Sequence, residues 1–102
     1  MTDVARMCRR ILKNHYGDQF QGLILFGSVA RDKASDSSDL DLLVLLSPPF
    51  AYFMELRRIT DLLYPVQLES ERLISAKPAA KDDFESGQIQ LYRNAKREGI
   101  AL

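Results

Sequence analysis

The sequence predicts an α/β (α+β) domain, a small mixed β-sheet with helices packed mainly on one side. Three observations carry that prediction. A stripe of apolar residues at spacings of three and four opens the chain, two short unbroken apolar runs follow, and a second helical stripe comes after a double proline. Hydrophobic residues make up 46% of the 102 residues and charged residues 27%, as in folded soluble domains, which argues against disorder. The length is that of one domain over residues 1–102, with a core modest enough that self-association or docking on a partner would add to it.

In the first segment Val4, Met7, Cys8, Ile11, Leu12 and His15 line one stripe, with Arg6, Arg9, Arg10 and Lys13 off it. This predicts an amphipathic helix ending near Gly17, with Cys8 in the core and His15 as a partly buried structural histidine. The run Leu23–Phe26, between Gly22 and Gly27, predicts a strand buried on both faces. After a turn rich in Ser and Asp, DLDLLVLL from Asp39 to Leu46 predicts a second buried strand, stopped by Ser47-Pro48-Pro49. Tyr52, Leu56, Ile59 and Leu63 predict a helix over residues 50–64, terminated by Pro65. In PVQLES, Val66, Leu68 and Ser70 alternate with Gln67 and Glu69. That alternation predicts a third strand near a sheet edge, with Gln67 and Glu69 sharing a face. A last helix is expected from about Ser86 to Glu98, capped by Gly99.

Fourteen Lys+Arg balance fourteen Asp+Glu, whereas a domain that grips phosphate backbones unaided is normally basic, so direct nucleic-acid binding is not expected. Cys8 is the single cysteine and can form neither an internal disulfide nor a zinc knuckle, which fits a reducing compartment and makes cytoplasm the expectation. The longest aliphatic run, Leu42–Leu46, falls far short of the ~20 residues that span a bilayer, and the N-terminus lacks a secretory apolar segment; no membrane association is expected.

The residues that carry chemistry are Gly27, Ser28, Asp39 and Asp41, in LILFGSVARDKASDSSDLDLLVLL. At average residue usage this spacing arises by chance in about one in a thousand chains of this length. Residues i and i+2 of a strand face the same way, so Asp39 and Asp41 point together. Two neighbouring carboxylates repel unless a cation lies between them, and oxygen ligands of this kind suit Mg²⁺ held jointly with substrate phosphates. Gly27 permits a tight turn and close approach of phosphate, and Ser28 supplies a hydroxyl with amides behind it. The plainer reading of Asp39 and Asp41 is a solvated turn entering a strand, and of Ser28 a helix N-cap; the spacing between the two motifs weighs against both. Phe50, Tyr52 and Phe53 read as core or partner contacts, and Arg93, Lys96 and Arg97 as a solvated helix face.

This constellation resembles the nucleotidyltransferase superfamily of DNA polymerase β, and within it the minimal nucleotidyltransferase (MNT) members. The likeness takes in GSVARD, Ser38-Asp39-Leu40-Asp41-Leu42 and the closing REGIAL at Arg97–Leu102. It implies transfer of a nucleotide, AMP from ATP before any other nucleoside triphosphate, to an acceptor hydroxyl with pyrophosphate leaving. Gly27 and Ser28 would hold the triphosphate and Asp39 and Asp41 two Mg²⁺ ions. Two departures stand out. Asp32 replaces a glycine common after the arginine of the first motif, and alignment of PVQL on the strand that carries the family's third carboxylate puts Gln67 there, leaving Glu69 as the candidate general base. Likeness to stand-alone members further implies an antitoxin-like domain that adenylylates a hydroxyl, that of tyrosine foremost, on a HEPN-type ribonuclease. The alternatives are a nucleotide- or partner-binding module without turnover, and a small-molecule enzyme of the aminoglycoside type, which needs a second domain or a dimer mate to hold its acceptor.

Overall fold

The computed structural model describes residues 3–30 and 39–102. Expectations that fall on Arg31, Asp32 and the Ser/Asp-rich turn lie outside the described residues. The first helix, α1 (Asp3–Tyr16), follows the predicted stripe, burying Cys8 and Leu12. His15, however, is exposed, and Tyr16 takes the buried place at the end of the stripe with its ring edge-on to the imidazole. Burial and the neighbouring Glu55 raise the Tyr16 phenol above its ordinary pKa.

A short 3-10 turn leads into β1 (Phe20–Phe26), which starts three residues before the apolar run and pairs antiparallel with β2 (Leu40–Leu46). Between them lies a four-residue helix, α2 (Gly27–Ala30). The next helix, α3 (Tyr52–Glu69), leads to β3 (Ile74–Ala80), which lies parallel to β2, as a strand–helix–strand crossover requires. Two short helices, α4 (Lys81–Ser86) and α5 (Gln90–Glu98), precede β4 (Ile100–Ala101), which pairs with β1. Strand order is β3-β2-β1-β4, a mixed four-stranded sheet.

Alternation in β2 splits the core. Leu40, Leu42, Val44 and Leu46 join Leu23 and Leu25 under the long helices α1 and α3, while Leu43 and Leu45 meet Ala79, Phe84 and Ala95 on the opposite face under the short helices. Helices α1 and α3 are locked together by Tyr16, whose hydroxyl donates to Glu55 Oε1 at 2.9 Å; Arg58 Nη1 donates to the same oxygen at 3.2 Å. That arrangement lets the one buried charged side chain among the described residues, Glu55, keep its hydrogen bonds.

The segment PVQLES is corrected: it is the last turn and a half of α3, not a strand. Pro65 costs the helix one backbone donor, but it is exposed, so water can reach the carbonyl left without a partner. Ile59, Leu63 and Val66 extend the buried helical stripe through it, and Leu68, which a strand alternation would bury with Val66, is 68% exposed. Gln67 serves the connection to β3: its Nε2 donates to Arg72 O at 2.9 Å and its Oε1 accepts from Ile74 N at 2.7 Å. The third strand is instead the segment containing Pro78, which is tolerated because β3 is at the sheet edge. The expected last helix is α5, which begins at Gln90 rather than near Ser86; an additional short helix, α4, precedes it and ends at Gly87 in the left-handed region (φ 66°). Gly99 does follow α5, but in extended conformation; a Cβ there would collide with Ala95 O and Ile24, so close chain approach rather than a left-handed cap is its reason.

Candidate functional site

The hydrogen-bond register of β1 and β2 sets Phe26 opposite Asp41, which brings the residue after β1, Gly27, to the Asp41 side chain. Gly27 has φ +78°, a conformation other residues rarely adopt, and a Cβ built on it would overlap Asp41 Oδ2 and lie 3.3 Å from Asp41 Cγ. The glycine is thus required twice, by its backbone angle and by the carboxylate pressed against it. Ser28 follows as the second residue of α2. Asp39 stands immediately before β2 and is exposed, Leu40 is buried beneath the long helices, and Asp41 is half-buried. The alternation within β2 directs Asp41 to the face opposite Leu40, while Asp39 stands one residue before the strand and outside its pairing register.

Glu69 is not brought to this pair. It is the exposed last residue of α3, and α3 packs on the Leu40/Leu42 face, across the sheet from the Asp41 side chain. The strand that does run beside β2 sets Ser75 next to Asp41 and Lys77 next to Leu43. Neighbours in register share a face, so a half-buried serine and a half-buried lysine are what β3 presents to the site. Sequence reasoning passed over both. The available signal was the alternation of Ile74 and Ala76, which pack on the α1/α3 core, with Ser75 and Lys77; Pro78 obscured it.

Among the described residues no group of three or more His, Cys, Asp or Glu could close around a metal. Asp39 and Asp41 nevertheless suit Mg²⁺, a hard cation that takes one or two carboxylates and completes its shell with water and substrate phosphates. The absence of a side chain at Gly27 is what lets the Asp41 carboxylate lie against the backbone at the end of β1.

Residues 5–96 match the family model of the nucleotidyltransferase domain. A candidate protein adenylyltransferase of Methanocaldococcus jannaschii is 36% identical over 95 residues, covering 89% of this chain and 86% of its own length. Among solved structures, a candidate minimal nucleotidyltransferase superimposes with a TM-score of 0.58 at 25% identity, covering 99% of this chain and 97% of the other. A chain from a toxin–antitoxin crystal structure with AMP-PNP superimposes at 0.54, with 14% identity over 98% of this chain and 72% of the other; that likeness is one of fold.

Proposed function

Because this chain belongs to the nucleotidyltransferase family, we propose that it transfers AMP from Mg-ATP to a hydroxyl of a folded protein partner and acts as the antitoxin of a HEPN-type toxin. The observation that supports the chemistry best is the Gly27 backbone against the Asp41 carboxylate, with Asp39 exposed two residues before it. In this reading Asp39 and Asp41 hold the metal, which supplies charge neutralisation on the phosphates and on the leaving pyrophosphate. Gly27 lets the triphosphate approach the chain, and the backbone of Ser28 and the residues after it directs donors at the anion. Asp41, held in β2 by ladders to β1 on one side and β3 on the other, would present its carboxylate from a fixed position.

A protein acceptor suits the balance of fourteen Lys+Arg against fourteen Asp+Glu, which gives little general attraction for nucleic acid. A folded acceptor brings its own docking surface to the site. The name of the archaeal relative points to the same acceptor class. AMP on a tyrosine near a ribonuclease active site would add bulk and negative charge where RNA must bind.

Coexpression with a HEPN-type partner followed by intact-mass spectrometry tests this. The expected result is a partner heavier by one or more AMP groups, and an unmodified partner with the Asp39→Asn/Asp41→Asn variant. An unmodified partner beside the parental protein would sink the transfer reading. A stable complex would then support the second reading, neutralisation by binding, which Ser75 and Lys77 favour because β3 contributes no carboxylate base.

A further inference from the structure

We infer that Lys77 is a phosphate-binding residue of the nucleotide site, supplying a fixed positive charge on the strand that would otherwise bring a third carboxylate. The inference rests on the nucleotidyl-transfer reading of Asp39 and Asp41 and deepens it. Three observations lead there. The parallel register places Lys77 beside Leu43, one same-face step from the Asp41–Ser75 pair. Such a step is about 7 Å along a strand, within the reach of a lysine side chain. Second, the long stretch of this face from Leu43 and Leu45 to Ala79 is roofed by Phe84 and Ala95, so apolar neighbours close one end and the ammonium has reason to extend toward the polar end, where Asp41 and Ser75 stand. Third, Lys77 is half-buried in the middle of a strand, yet among the described residues no carboxylate forms an ion pair with it.

An anionic ligand is a natural partner for a half-buried ammonium that no carboxylate among the described residues pairs with. The chemistry of the site names that ligand class. Two carboxylates suffice for one Mg²⁺ together with substrate oxygens, and a triphosphate carries more negative charge than one divalent ion neutralises. A lysine donor supplies the rest as a compact point charge, a role in which lysine binds phosphate well. Ser75, directly beside Asp41, is small enough to leave the approach open. The consequence for the reaction is that β3 offers charge stabilisation where a carboxylate would offer a base.

Isothermal titration of a non-hydrolysable ATP analogue with Mg²⁺ tests the assignment without relying on turnover. Lys77→Met should weaken binding by about 10–100-fold, the worth of a hydrogen bond to a charged group, whereas Lys77→Arg should stay within about threefold of the parent. Melting curves check that the variants fold, and Lys77→Gln replaces the methionine variant if that one does not. Parental affinity in the charge-removing variant, with binding still lost in Asp41→Asn, overturns the role of Lys77 and leaves the metal site standing. Parental affinity in both variants overturns the reading of the site and this inference with it.

Discussion

Asp41 has two flanks that differ in kind. Toward β1 its carboxylate meets bare backbone, at a glycine that nothing else can replace; toward β3 its neighbours are Ser75 and, one step on, Lys77. The first flank is built by exclusion of side chains and the second by choice of them. A flank made of backbone tolerates almost no substitution, while a flank made of side chains can change its charge without disturbing the sheet. The flank on β1 is therefore fixed by backbone geometry, and the flank on β3 by the side chains it carries.

The sharpest way to break that contrast is at Gly27. Gly27→Ala forces a Cβ against the Asp41 carboxylate at positive φ and should cost about 1–3 kcal/mol of stability together with nucleotide affinity. Chemical denaturation beside titration with an ATP analogue measures both; an unperturbed protein would mean that the glycine is not needed there. On the other side, Gln67→Ala removes the two hydrogen bonds that tie α3 to the start of β3 and should destabilise by about 1–2 kcal/mol. Glu69→Gln, one turn-end away, should change neither stability nor affinity measurably, since Glu69 is exposed across the sheet. A large loss of activity in Glu69→Gln would return it to the site.

What the sequence revealed follows the same division. The G-S motif, the two aspartates and the strands that carry them were readable because local signals agree: apolar runs, a glycine at the strand end and alternation across Leu40. The β3 flank was not, because PVQLES satisfies two periods at once. Val66 belongs to the helical stripe of Ile59 and Leu63 as well as to an alternation with Leu68, and only the packing of α3 on the sheet decides between them. A strand over that segment would set Gln67 and Glu69 where Ser75 and Lys77 stand in the structure. Pro65 sits inside a helix, and Pro78 inside a strand. Tertiary packing overrode the local punctuation in both cases.

A smaller effect concerns the core beneath α1. Burial pushes the Cys8 thiol up from 9.0 to about 11. The folded state then holds its proton after the unfolded chain has released it, so the contribution of Cys8 to stability is complete below about pH 9 and is lost as pH rises toward 11. The raised Tyr16 phenol acts in the same direction above its ordinary value. Denaturation midpoints measured from pH 7 to pH 10.5 should decline at the alkaline end, and Cys8→Ala should flatten the onset of that decline; equal onsets would deny the shift. Thiol reagents at neutral pH should leave folded Cys8 unmodified.

In the function proposed above, Asp39 and Asp41 hold a divalent metal beside the Gly27 turn so that a nucleoside triphosphate can bind there. Titration of a non-hydrolysable ATP analogue into the parent and the Asp39→Asn/Asp41→Asn variant, each with Mg²⁺ and with a chelator, tests it most directly. Mg²⁺-dependent binding to the parent and none to the variant, with the variant still folded by its melting curve, is the expected result. Equal binding by both proteins, or parental binding that ignores the chelator, would contradict it.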